Sequence, residues 1–281
     1  MKKDKKNRTG SIPIPLGSVG GVFPLEGLRG GFFEPRTYRN TFSKERFQSF
    51  VITYKDSDLW VGIDHASCQE VMAEHAFKKL KTIRDELEAY LLVDPFFKKS
   101  LKPCPVMETA PGFAKQMAVA AEKAGVGPMA AVAGMFSEII GQSLLDNFPI
   151  NELVIENGGD IFLKLQNPLI MSIFAGESDL SGMVGLEITA EQTPLGICTS
   201  AGTVGPSRSF GKADAVMIAC RETALADAFA TAFGNLIKKP ADVEKVLRRT
   251  EAVPEIIAAV LICEDQIGIR GEFEMKLVAP S

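Results

Sequence analysis

The sequence predicts an α+β fold with largely antiparallel sheet, and three observations carry that expectation. Helix-period and strand-period segments come in blocks instead of strict alternation, so a βαβ arrangement is not indicated. The second half is dominated by short apolar runs separated by turn residues. Of the 281 residues, 46% are apolar, including 18 Phe and 10 Met, which suffices for a sizeable core. A chain of this length forms one large domain or two small ones, and no internal repeat divides it.

Residues 1–35 read as a flexible N-terminal arm, with the folded domain over 36–281. Lysines give way there to Pro13, Pro15, Gly17, Gly20, Gly21, Pro24, Gly27, Gly30 and Gly31, a composition that builds no regular element. Strands are expected at 36–41, 47–54 and 59–64. A long helix is expected over 67–92, because Ser67 and Glu70 have capping-box spacing and Pro95 lies just past its end. Pro111 suits a first helical position, and Gly125 ends that helix. Gly127-Pro128 is a break, followed by a small-residue helix over 129–146. Strands then dominate, at 153–156, 161–165, 169–175, 185–189, 196–199 and 215–219. Helices at 222–238 and 241–249 precede a closing hairpin, 258–263 with 267–274.

Composition narrows the function. A net charge of -4, with no basic stripe interleaved with aromatics, excludes a nucleic-acid partner. The longest apolar stretch, 129–140, is broken by Gly134, Ser137 and Glu138. It reads as too short and too polar to span a bilayer, so no membrane partner is expected. The basic start, 1–8, is not followed by the long apolar run of a signal peptide, which places the chain in the cytoplasm. The five cysteines are scattered and show no Cys-x-x-Cys spacing, so they read as buried small hydrophobes and not as disulfides or a zinc site. With only His65 and His75 available, a metal site here must use oxygen ligands.

Four runs carry the candidate chemistry, and each also has a plain structural reading. In the helix expected at 222–238, Leu225, Phe229, Ala232, Phe233 and Leu236 share one face at about 100° per residue. Asp227, Thr231 and Gly234 fall on the opposite face. Asp227 and Thr231 are i, i+4 neighbours, so their oxygens can meet one ligand, and a carboxylate plus a hydroxyl suits Mg²⁺ completed by ligand phosphates. Alternatively the helix packs on a neighbour through its small residues, with Asp227 in a structural hydrogen bond. In Glu156-Asn-Gly-Gly-Asp160, the glycines make a hairpin turn. They also allow close backbone approach to a ligand that Asn157 or Asp160 contacts. Ile197-Cys-Thr-Ser-Ala-Gly-Thr-Val-Gly205 is either a polar turn or a phosphate loop that uses its amides. Gly125-Val-Gly-Pro-Met-Ala-Ala-Val-Ala-Gly134 is either tight helix packing or an anion site at a helix start.

In this order, the runs 125–134, 156–160, 199–202 and 226–231 resemble the motifs of the ApbE superfamily of flavin transferases, once called thiamine-biosynthesis lipoproteins. More closely, the chain resembles the soluble ApbE-like branch, in which Val-Gly-Pro-Met-Ala-Ala-Val-Ala-Gly, Glu-Asn-Gly-Gly-Asp and Gly-Lys-Ala-Asp-Ala-Val recur. The resemblance spans roughly 36–277. It implies a two-lobed α+β fold with mostly antiparallel sheets packed by helices, and a flavin nucleotide (FAD or FMN) bound between subdomains. Asp227 and Thr231 would then hold Mg²⁺ beside the pyrophosphate. Gly127, Met129, Asn157, Gly158, Gly159, Asp160, Thr199, Ser200 and Gly202 would contact the cofactor. The superfamily's enzymes move FMN from FAD onto a Thr or Ser of a carrier protein. They carry a His-x-x-Asp-Pro-x-Thr-Gly run before the metal helix. Here that stretch, 207–216, reads Ser-Arg-Ser-Phe-Gly-Lys-Ala-Asp-Ala-Val, with Asp214 as its one candidate general base. Flavin transfer is accordingly expected to be slow or absent. The alternatives are an active FMN transferase, a non-enzymatic partner or assembly factor in redox or sulfur metabolism, and a hydrolase of another pyrophosphate. A homo-oligomer or a protein partner is compatible with each.

Overall fold

Among the described residues, two sheets and six α-helices build the fold. A computed structural model describes residues 11–14, 45–173, 175, 181–182, 184–201 and 211–277. The strand expected at 36–41, and Gly202, lie outside the described residues. In chain order the strands are β1 (Ser11–Ile14), β2 (Phe47–Tyr54), β3 (Ser57–Asp64), β4 (Leu153–Asn157), β5 (Asp160–Lys164), β6 (Leu169–Ile173), β7 (Val184–Ile188), β8 (Leu195–Ser200), β9 (Ala215–Cys220), β10 (Ile256–Cys263), β11 (Gln266–Gly271) and β12 (Glu274–Leu277). The helices are α1 (Val71–Val93), α2 (Pro95–Lys99), α3 (Gly112–Ala124), α4 (Val132–Asn147), α5 (Thr223–Gly234) and α6 (Val243–Glu251). A 3-10 turn, Pro128–Ala131, leads into α4.

The larger sheet has the order β11-β10-β9-β8-β5-β4-β3-β2, and the smaller β1-β6-β7-β12. Every pair in the larger sheet is antiparallel. In the smaller one only β1 with β6 is parallel. This is the expected antiparallel architecture packed by helices. Ser11–Ile14 corrects one detail. It lies in the arm read as free of regular elements, yet it pairs along β6.

The period-2 alternation of the central strands feeds two cores. On β9, Val216, Ile218 and Cys220 join the cluster under the helices, while Ala215, Met217 and Ala219 face the smaller sheet. On β10, Ala259, Leu261 and Cys263 face the helices and Ala258, Val260 and Ile262 the other sheet. Strands buried on both faces read as continuous apolar runs. That is why β9 and β10 show no polar residue in Ala215-Val-Met-Ile-Ala-Cys220 or Ala258-Ala-Val-Leu-Ile-Cys263.

Local chemistry sets several element ends. Pro111 precedes α3 and Gly125 follows it with φ 73°, the left-handed C-cap that glycine adopts without strain. The 67–92 helix starts later than expected, at Val71. Ser67 does not cap it. Instead its amide donates to Asp64 Oδ1 at 3.0 Å, and its hydroxyl accepts from the amide of Asn151 at 3.1 Å. Pro95 is not a terminator alone. It opens the short α2, whose Phe97 amide is capped by Asp94 Oδ1 at 3.1 Å. With its leading turn, the helical stretch Pro128–Asn147 is, unlike the expectation for 129–140, long and apolar enough to cross a membrane. Its buried Met135, Phe136, Ile140 and Leu144 belong instead to the core under the helices.

Candidate functional site

The four sequence runs meet at one end of the central strands of the larger sheet. The hairpin Glu156–Asp160 ends β4 and begins β5. Its partner β8 ends beside it, with Asp160 opposite Cys198. Helix α5 packs on β8 and β9, and α4 packs on α5. Gly158 and Gly159 have φ 69° and 100°, so both central positions of the two-residue turn are left-handed, as a type I′ hairpin requires. The Gly159 amide donates to the buried Glu156 Oε1 at 2.9 Å.

The turn is tied to the start of α4. Asn157 Nδ2 donates to the Ala133 carbonyl at 3.1 Å. Ser137 Oγ donates to the Asp160 carbonyl at 2.9 Å. On the β8 side, the Thr199 amide donates to the Gly159 carbonyl at 3.1 Å. Gly159 and Thr199 also line a small gap between the sheets with Met171 and Met217. A Cβ at Gly234 would lie 3.3 Å from Ser200 Oγ, so Ser200 abuts the last turn of α5.

Asp227 is the electrostatic centre of this junction. Its Oδ2 accepts the Gly134 amide at 2.9 Å. Gly134 sits in the first turn of α4, where amides lack intrahelical partners. The carboxylate therefore caps a helix other than its own, with a favourable dipole. Burial pushes its pKa up to about 7, against the pull of the Gly134 and Ala133 amides. No Lys or Arg pairs with it among the described residues. Cys198 is buried close by, its Sγ donating to the Thr223 carbonyl at 3.4 Å. Burial, together with the neighbouring Asp160 and Asp227, holds its thiol well above the ordinary range.

The capping is reciprocal. Glu138, on α4, accepts the amide of Thr223 at 2.7 Å and that of Ala224 at 3.4 Å, both in the first turn of α5. Burial raises the Glu138 pKa, and the two amides oppose it. Close approach makes the exchange geometrically feasible, since a Cβ at Gly134 would lie 2.5 Å from the Thr223 carbonyl oxygen. Glu138 was visible in the sequence only as an interruption of an apolar run. A lone charge in such a run was the available signal.

The α5 faces follow the helical-wheel expectation in part. Asp227, opposite the apolar face as expected, is covered by α4 and only 8% exposed, which matches the alternative of a helix packed through its small residues with Asp227 in a hydrogen bond. Leu236, expected on the apolar face, is 41% exposed beyond the end of α5. Thr231 is half-buried, one turn after Asp227. Gly127 lies one turn before α4, and a Cβ there would be 1.8 Å from the Ser100 carbonyl oxygen. That contact alone requires a glycine. Met129, in the same turn, is half-buried against the core. Asp214 stands at the same end of the strands, just before β9. Its Oδ2 accepts the Glu264 amide at 2.6 Å, holding the β10–β11 turn.

Among the described residues no three His, Cys, Asp or Glu side chains are grouped so as to hold a metal ion. The donor set of Asp227 and Thr231 still fits a hard cation that takes one carboxylate, one hydroxyl and otherwise ligand or solvent oxygens. Among the described residues it faces no cation, and the thiol of Cys198 beside it is kept protonated.

The chain belongs to the family described as AbpE bacteria, whose model matches residues 39–269. It is similar to the UPF0280 protein of Methanocella arvoryzae, 42% identical over 189 residues that cover 67% of this chain and 76% of that protein. The UPF0280 protein of Methanocaldococcus jannaschii is 38% identical over 205 residues, 70% of this chain and 82% of its own length. In fold, the chain resembles the flavinyl transferase ApbE of Pseudomonas stutzeri in its apo form, with a TM-score of 0.52 at 14% identity, covering 83% of this chain and 94% of that one. The ApbE protein of Thermotoga maritima gives 0.51 at 12% identity, over 81% and 97%. These two likenesses establish a shared fold.

Proposed function

We propose that this member of the family binds a flavin nucleotide, or a related pyrophosphate ligand, together with Mg²⁺ at the junction of α4, α5 and the 156–160 turn. The observation that carries this reading is Asp227. Among the described residues this buried carboxylate has only amide partners, desolvation raises its pKa to about 7, and a divalent cation would supply a counter-charge. Asp227 and Thr231 would hold the ion. When bound, it would neutralise the pyrophosphate. The glycine turn at 156–160 would let a ligand approach the backbone closely, and the hydroxyls of Thr199 and Ser200 at the end of β8 would be its nearest polar side chains.

The reading assigns binding and not transfer. General-base catalysis needs a group within reach of the acceptor proton. The one candidate, Asp214, has a carboxylate oxygen engaged by the Glu264 amide at 2.6 Å.

Equilibrium titration with flavin dinucleotide, with and without Mg²⁺, tests the proposal. The expected result is tight binding only with the metal, lost in Asp227→Asn while the fold is retained. Metal-independent binding, or an Asp227→Asn protein that binds like the parent, would sink it. A flavin-sized mass added to a Thr-containing carrier, abolished by Asp214→Ala, would restore transfer.

A further inference from the structure

A second feature lies outside the candidate site, where α1 ends. Leu92, Val93, Phe96 and Leu101 are 83%, 66%, 63% and 64% exposed. Lys98, Lys99 and Lys102 stand among them, also exposed. The segment is rigidly presented. Phe97 is fully buried and packs edge-on to Tyr90 at 5.1 Å, and Tyr90 Oη donates to Asp94 at 2.9 Å. The Ser100 carbonyl is seated against Gly127. Large apolar side chains fixed in solvent mark an interaction surface.

Charge identifies the occupant. On α1, Lys78 pairs with Glu74, Lys81 with Asp85, and Arg84 with Asp56 and Glu88, and Lys79 alone of its basic groups forms no ion pair among the described residues. Lys98, Lys99 and Lys102 form no ion pair among the described residues, in a chain whose net charge is -4. Asp94, the acid within the segment, is already engaged by Tyr90 and the Phe97 amide. A second copy of the chain would set these lysines against their own images in a two-fold contact. The segment is a helix end, a one-turn helix and a loop whose large apolar side chains stand in solvent beside the lysines. Apolar and basic groups side by side match a surface that is anionic above and apolar beneath.

We propose that residues 92–102 dock on an anionic lipid surface. Leu92, Val93, Phe96 and Leu101 enter the boundary between headgroups and acyl chains, and the three lysines meet headgroup phosphates. This combination of apolar insertion and basic attraction is how peripheral proteins hold a bilayer without spanning it. The expectation of no membrane partner rested on the lack of a spanning segment, which such docking does not need. Each lysine contributes roughly fivefold to partitioning onto an anionic surface.

Co-sedimentation of the full chain with vesicles of phosphatidylcholine, with and without phosphatidylglycerol, tests this. Binding is expected only to the anionic vesicles and to weaken with salt. Lys98→Glu with Lys99→Glu should lower it by more than about 25-fold. Phe96→Ser with Leu101→Ser should abolish retention while leaving the thermal midpoint near the parent value. In Phe96→Trp, emission should shift to the blue on adding anionic vesicles. No binding to anionic vesicles overturns the proposal. So does binding unchanged in both double variants, which would place the attraction in the basic run at 1–8. A concentration-dependent dimer lost in Phe96→Ser, without vesicle binding, makes the patch a self-contact and overturns it too.

Discussion

Replacing Gly134 with alanine should drive α4 and α5 apart. The added methyl would stand 2.5 Å from the Thr223 carbonyl oxygen, 2.8 Å from Asp227 Cβ and 3.0 Å from the Thr223 carbonyl carbon. Two of these atoms are backbone, and the α5 start that carries them is pinned by Glu138. To reach ordinary contact α5 must withdraw by roughly an ångström, on van der Waals separations of about 3.5 Å. Overpacking of this kind destabilises by about 1–3 kcal/mol. The same shift stretches the 2.9 Å bond from the Gly134 amide to Asp227, a charged hydrogen bond contributing about 1.5–3 kcal/mol. Alanine's helix propensity returns about 1 kcal/mol. The net loss is about 2–4 kcal/mol, a fall in thermal midpoint of roughly 5–15 °C for a chain of this size. Gly112→Ala is the control. It lies at the start of α3, where an added Cβ meets nothing within 4 Å, so it should be neutral or mildly stabilising. Thermal unfolding of both variants beside the parent decides the matter. A Gly134→Ala protein as stable as Gly112→Ala would show that close helix approach is not what the glycine provides.

Three further outcomes are expected. The Asp227 carboxyl, raised to about 7 from 3.8, favours the folded state when protonated. The parent therefore loses stability from this group as pH climbs from about 4 to about 7, by about 4 kcal/mol in all. Urea unfolding of metal-free Asp227→Asn and parent should show the variant gaining on the parent over that window, and a pH-independent gap would refute the assignment. Glu138→Ala leaves the Thr223 and Ala224 amides uncapped and should destabilise by about 1–3 kcal/mol, whereas Glu138→Gln keeps an acceptor and should stay close to the parent. Equal losses in the two, by urea unfolding, would exclude the capping role. Gly159→Ala forces a side chain to φ 100° and should lower stability by about 1–2 kcal/mol. An unchanged denaturation midpoint would mean the turn rearranges freely.

Where chemistry was local, the fold was legible in the sequence. Pro111 and Gly125 bracket a helix because each acts on its own backbone, and two consecutive glycines between apolar runs define a hairpin wherever the strands lie. The four motif runs were also readable, and they do converge. What the sequence did not reveal was long-range. The burial of Asp227 depends on α4, more than eighty residues earlier in the chain. Helical periodicity sees one helix at a time, so it left Asp227 between a metal ligand and a structural hydrogen bond and could not name Gly134 as the partner. Gly127 looked like a ligand contact, yet its close neighbour is Ser100, which no local pattern could indicate. Ser67 had the spacing of a helix cap, but Asp64 captured its amide and the helix began at Val71.

From Thr223 to Ala230 every residue of α5 is buried, and exposure returns only at Thr231, Ala232 and Asn235. Its amide protons should therefore exchange with solvent only when the whole domain opens, making it one of the slowest segments to take up deuterium. A ligand cannot arrive along the shaft of that helix. Under the proposed binding, a ligand would enter past Thr231, toward a carboxylate that the Gly134 amide at the start of α4 already holds. Little conformational freedom is left to lose on binding, and deuterium uptake in α5 should look the same with the site empty or filled.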